Sequence, residues 1–136
     1  MKKGARTYIA LFKFNDGVYT ITFPDLKGAI SEAGSIEEAI SNAKDVLEVW
    51  LLNAEDYSID IPVSKSFKEL ENLATGEKDF IQYITVDLDL ARKKEDNRAV
   101  KKTLTIPSWL NELAINNNIN FSYILQQALK KELNVN

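Results

Sequence analysis

Val100-Lys101-Lys102-Thr103-Leu104-Thr105-Ile106-Pro107 is the stretch on which the reading of this chain turns. Side chains alternate along a strand, so Leu104 and Ile106 share one face while Lys101, Thr103 and Thr105 share the other. Pro107 ends the strand and suits the first turn of a helix. The spacing predicts that helix over 108–116, with Trp109, Leu110 and Leu113 turned inward and Ala114 beside them. Asn116, Asn117 and Asn118 tolerate left-handed backbone and make a turn. Asn120 then caps a second helix over 121–133, whose apolar positions are Ile124, Leu125, Ala128, Leu129 and Leu133. Lys130 and Lys131 suit the negative pole of its dipole.

A strand and two helices in under about forty residues cannot bury an adequate core alone, and one short strand leaves its backbone groups unpaired. Pairing with the same strand of a second copy solves both problems. The result is a two-stranded antiparallel ribbon under four helices, a homodimer with Leu104, Ile106, Trp109, Leu113, Ile124, Leu125 and Leu129 as its expected core. Lys101, Thr103 and Thr105 of each copy then face outward on a ribbon that fits the DNA major groove, where lysine donates to guanine and threonine contacts bases. The amides at the start of the second helix, around Asn120, Phe121 and Ser122, are suited to clamp a phosphate. The alternative is a ribbon that only dimerises, its threonines reflecting strand propensity.

Upstream, residues 6–14 read as a strand, Asn15-Asp16-Gly17 as a tight turn, and residues 18–23 as the returning strand of a hairpin. Val18, Thr20 and Thr22 alternate with Tyr19, Ile21 and Phe23. Pro24 to Gly28 break the run, and residues 29–33 form a short third strand. Ser35-Ile36-Glu37-Glu38 has the pattern of a reciprocal capping box. Behind it Ile36, Ala39, Ile40, Ala43, Val46, Leu47, Trp50 and Leu51 recur at helical spacing to about Ala54, with Trp50 as a core anchor. Residues 58–61 read as a brief extended stretch ending at Pro62. Ser66-Phe67-Lys68-Glu69 repeats the capping pattern before a short helix that Thr75-Gly76 stops. Phe80, Ile84, Val86, Leu88 and Leu90 share one parity, so residues 80–90 read as a further strand. Residues 91–99 are polar and aperiodic and read as a linker or a frayed helix end. The expected organisation is α+β: 1–90 as a sheet covered by one long helix, 91–99 as linker and 100–136 as the dimerisation module.

Composition narrows the chemistry. With 45% hydrophobic and 27% charged residues the chain can bury a core and is not a disordered polymer. Its net charge of -3 is uneven: residues 100–136 carry +2 and residues 1–99 carry -5. An acidic body with a mildly basic tail suggests two jobs. There is no cysteine and no histidine, which excludes disulfides, thiolate chemistry, histidine-based catalysis and the usual zinc sites. The strand-strand-strand-helix order opens a ribonuclease H fold, which needs carboxylates converging on magnesium. The first strand holds no acid, and Asp25, Glu38, Asp45 and Asp87 stand on separate elements, so no catalytic residue, metal or cofactor is expected. Met1-Lys2-Lys3 resembles the charged end of a signal peptide, but the apolar run over 8–12 stops at Lys13, too short for export or a bilayer span. The expected location is the cytoplasm, with no membrane partner.

Residues 100–134 resemble a ribbon-helix-helix domain, on Thr103-Leu104-Thr105-Ile106-Pro107 and Asn118-Ile119-Asn120-Phe121-Ser122. Residues 8–54 resemble the HicB antitoxin family, on Phe23-Pro24-Asp25-Leu26-Lys27-Gly28 and Gly34-Ser35-Ile36-Glu37-Glu38-Ala39. The resemblance implies a partial ribonuclease H fold without activity in the first part. It implies neutralisation of a small HicA-type ribonuclease, autorepression at operator DNA, and leaves open a higher-order assembly with the toxin. The family toxin uses a catalytic histidine, which this chain lacks. Lys27 stands where the family usually has a second proline, and Asn120 and Phe121 replace the more common serine and arginine. Pro24, Gly28 and Glu38 have structural explanations, which leaves Asp25 as the one candidate partner contact. A repressor whose first domain senses a small ligand is the competing expectation.

Overall fold

The computed structural model describes residues 4–96 and 98–136; the sequence readings that touch Met1, Lys2, Lys3 and Asn97 lie outside the described residues. The chain divides into two compact units, Met1–Asn97 and Arg98–Asn136.

In the first unit, β1 (Ala5–Asn15) and β2 (Val18–Thr22) form the expected hairpin. Asp16 and Gly17 have φ of 52° and 80°, the paired positive values that let a two-residue turn match the twist of its strands. β3 (Ile30–Ala33) follows a closed turn in which Leu26 N donates to Phe23 O at 2.9 Å and Phe23 N to Ala29 O at 3.2 Å. With β4 (Phe80–Asp87) on the other side of β1, the sheet runs β3-β2-β1-β4, antiparallel throughout.

α1 (Ile36–Asp56) covers one face of this sheet. Ala39, Ala43, Leu47 and Leu51 recur every four residues and are fully buried against Tyr8, Ala10, Phe12, Tyr19, Ile21, Ile84 and Val86. The two alanines remove bulk where the helix lies on the strands. Phe12 and Phe80 stack with centroids 4.5 Å apart. Trp50 packs at the margin of this core, and its Nε1 donates to Lys27 O at 3.0 Å. Ile36, the first residue of the helix, lies outside the apolar stripe and is exposed. The Ser35 side chain accepts from Glu38 N at 3.2 Å, but the expected return bond from Glu38 is not formed; only half of that box exists. The full reciprocal box is at Ser66 and Glu69, opening α2 (Phe67–Leu70), which a single 3-10 turn (Glu71–Leu73) extends.

α2 supplies a second layer that sequence periodicity did not announce. The Phe67 ring lies 5.5 Å from that of Tyr83, and Tyr83 and Ile81 pair with Ile9 and Leu11. Cross-strand partners share a face, so Ile9 and Leu11 are buried on the side away from α1, together with Leu70. The central strand is therefore covered on both sides.

The strand expected over 80–90 stops at Asp87. Its carboxylate accepts from Leu90 N at 3.1 Å and caps α3 (Leu88–Glu95), which takes residues 88–90 from the strand and 91–95 from the stretch read as linker. Leu88 and Ala91, three apart, are both buried, a helical relation that the alternation of Ile84, Val86, Leu88 and Leu90 concealed. Leu88 N donates to Gly4 O at 2.9 Å, and a Cβ at Gly4 would stand 2.6 Å from the Asp89 carboxylate carbon, so a larger residue there would make that side chain move.

In the second unit, α4 (Ser108–Asn116) and α5 (Phe121–Leu133) form as the spacing predicts. Asn118 has φ 55°, and Asn120 Oδ1 accepts from Tyr123 N at 3.0 Å. Residues 100–106, expected as a strand, belong to no helix or strand: among the described residues they pair with no other strand. A strand is completed only by a hydrogen-bonded neighbour, and one copy of the unit provides none. Among the described residues no helix is long and apolar enough to cross a membrane.

Candidate dimer and nucleic-acid interface

No described side chain of the second unit is buried, although the unit is rich in leucine and isoleucine. Its apolar residues line an open groove between α4, α5 and the segment before them. From that segment come Lys102, Leu104 and Ile106, and none of Lys101, Thr103 or Thr105. The residues of this segment that line the groove share one parity, and Leu104 and Ile106 remain 61% and 42% exposed there. α4 contributes Leu110 and Leu113, α5 contributes Ile124, Leu125 and Ala128, and the turn between them contributes Ile119.

Of the residues expected to form a shared core, Leu104, Ile106, Leu113, Ile124 and Leu125 line the groove. Trp109 and Leu129 stand outside it, 65% and 51% exposed. Phe121 and Ser122, considered for phosphate contact, both border the groove, while the Asn120 side chain is committed to its own helix through Tyr123. Ile119 and Lys102 were missed. Ile119 is an apolar residue isolated between asparagines, and periodicity assigns it to neither helix; its amide donates to Ala114 O at 3.0 Å and the turn folds it onto α4.

The first unit offers a different kind of site. Asp25, the candidate partner contact, is half-buried, and its Oδ2 accepts from Lys65 N at 2.9 Å. It holds down the 57–66 excursion together with Tyr8, whose hydroxyl donates to Pro62 O at 2.6 Å. Burial raises the Tyr8 phenol above its usual range, and the nearby Asp25 charge adds to this against the opposing effect of Arg6. Asp79 accepts from Phe14 N at 2.9 Å and Gly76 N at 2.7 Å, and these two amides hold its carboxyl below the usual range. Among the described residues no three carboxylates converge as a metal site would need. Asp25 and Asp87 are occupied by amide hydrogen bonds, and Glu38 and Asp45 lie on α1.

Residues 8–128 match the HicB_like antitoxin of bacterial toxin-antitoxin system. The chain is 30% identical over 102 residues to an uncharacterized 14.9 kDa protein in the rep-hol intergenic region of Haemophilus phage HP1, a match spanning 75% of this chain and 73% of that protein. Its fold is similar to a chain of a toxin-antitoxin complex from Streptococcus pneumoniae, at TM-score 0.55 and 24% identity over 94% of this chain and 99% of that one. It is also similar to the antitoxin HicB3, at TM-score 0.50 and 17% identity over 93% and 97%. The N-terminal domain of the Burkholderia pseudomallei antitoxin HicB matches at TM-score 0.50 and 23% identity, covering 61% of this chain and all of that one. With a family match that spans both units, the chain belongs to the HicB-like antitoxins of bacterial toxin-antitoxin systems.

Proposed function

We propose that the chain neutralises a HicA-type, mRNA-cleaving ribonuclease by direct binding and represses its own operon by binding operator DNA. In this reading residues 1–90, a partial ribonuclease H fold without catalytic residues, hold the toxin in the cytoplasm. Residues 100–136 dimerise as a ribbon-helix-helix. Membership of an antitoxin family supports the toxin half. The DNA half rests on one observation: Leu104 and Ile106 line an apolar groove that one copy leaves open, while Lys101, Thr103 and Thr105 lie off it. A second copy closes the groove, pairs the two 100–106 segments, and sets both lysine-threonine faces on one ribbon. Lysine supplies the salt-dependent attraction to phosphate and a donor to guanine; threonine adds base contacts. Repression follows from occupying the operator.

The toxin half is tested by inducing the small reading frame adjacent to this one, with and without the chain. Rescue of growth and of mRNA integrity is expected. Growth arrest that the chain leaves unchanged, with the chain present at full level, overturns it.

A further inference from the structure

We propose that residues 59–63 are a docking strand to which a basic protein adds a β-strand of its own. This rests on the toxin-binding reading above and names the surface that does it. Beyond Tyr57, the C-cap of α1, and the left-handed Ser58, Ile59, Ile61 and Val63 alternate with Asp60 and Pro62, and they are 54%, 36% and 90% exposed. Three apolar side chains open to water within five residues make an exposed apolar stretch, which soluble proteins seldom carry without a use.

The segment is held in place at several points along its length. Ser58 takes φ 52° and turns the chain out of α1, and Ile59 N donates to Ala54 O at 2.8 Å. Tyr8 fixes the Pro62 carbonyl, and Asp25 fixes the Lys65 amide. Between these anchors the amides of Asp60, Ile61 and Val63 have no acceptor among the described residues. An anchored segment outside helix and sheet, with open amides and alternating apolar side chains, can take an added strand: backbone bonds give affinity and alternate side chains give specificity.

Charge selects the occupant. Residues 57–63 contain Asp60 and no basic residue, in a region of net charge -5 over residues 1–99. A second copy would bring like charges together, Asp60 included. A ribonuclease must carry a basic face to hold RNA, and that face is attracted here.

The test uses the full chain and the product of the adjacent reading frame. Ile59→Ser with Val63→Ser is expected to weaken their association by roughly tenfold or more, since both side chains would be buried in the complex. Operator binding should be unchanged. Val49→Ser, at a 63% exposed position on α1, should leave the association as in the wild type. Amide exchange at Ile61 and Val63, whose amides share one edge of a strand, should slow in the wild-type complex. Should the double variant melt early, Val63→Ser alone carries the test. Undiminished association of the variant, or unprotected amides in the complex, overturns the docking strand while leaving the toxin reading intact. Loss of self-association with toxin affinity unchanged assigns the segment to a second copy and also overturns it. A wild-type chain that captures no toxin fails the underlying reading.

Discussion

The Tyr8 hydroxyl donates to the Pro62 carbonyl at 2.6 Å, tying the central strand of the sheet to an excursion 54 residues further along the chain. The ring itself is buried under α1, so one side chain serves both the core and the loop. Tyr8→Phe keeps the core contact and removes the tie. We expect a loss of about 1 kcal/mol in denaturant unfolding and faster amide exchange confined to residues around Pro62. An unaltered exchange pattern would show that the excursion is held without Tyr8. Because the Tyr8 phenol is raised in the folded state, its contribution is complete below the ordinary tyrosine range and is lost as pH rises through the folded value. Tyr8→Phe should therefore flatten the alkaline fall in stability.

Asp79 predicts the opposite end of the pH scale. Its carboxyl is held low by the amides of Phe14 and Gly76, so it stabilises the fold above the ordinary aspartate range and stops doing so as pH falls through the folded value. Asp79→Asn should lower the melting temperature at neutral pH and narrow the gap between neutral and acid melts. A gap as wide as in the wild type would mean that other carboxylates set the acid response.

Leu47 is fully buried in the middle of α1. Leu47→Ala should cost about 2–5 kcal/mol, the range for leucine truncation in a packed core. Thermal unfolding followed through the first unit reads this directly, and a loss below about 1 kcal/mol would mean the helix repacks over the gap.

The two faces of the 100–106 segment should separate dimerisation from DNA binding. Leu104→Asp puts a charge where the apolar groove needs a hydrocarbon and should abolish dimer and operator complex together. Lys101→Ala or Thr103→Ala should leave the dimer whole while weakening operator binding by about 1–3 kcal/mol per lost base contact. Sedimentation and mobility-shift measurements on the same samples distinguish the two. A Thr103→Ala chain that turns monomeric would invert the assignment of faces.

Much of this architecture is legible in the sequence because local signals agree. Asp16-Gly17 sets the hairpin, the repeat from Ala39 to Leu51 sets α1, and the asparagines around 117–120 set the turn between α4 and α5. What was hidden depended on partners distant in sequence. Leu88 fits strand or helix periodicity equally, and only the Asp87 cap and the packing of Ala91 decide for the helix. Burial of Ile9 and Leu11 needs α2, more than fifty residues away, to fold over the second face. At the candidate site, alternation separated Leu104 and Ile106 from Lys101, Thr103 and Thr105. It could not place Ile119, whose position comes from the Asn118 turn, or show that Asp25 is engaged by the Lys65 amide.

In the proposed function one chain holds both a ribonuclease and an operator. This is tested most directly by isolating the tagged chain from cells that also express its genomic neighbours, and assaying the eluate on DNA from its own promoter. A small basic protein in the eluate is expected, with a promoter complex that Leu104→Asp abolishes without releasing that protein. Promoter binding by a chain that captures no protein would contradict the proposed function and point to a repressor governed by a small ligand.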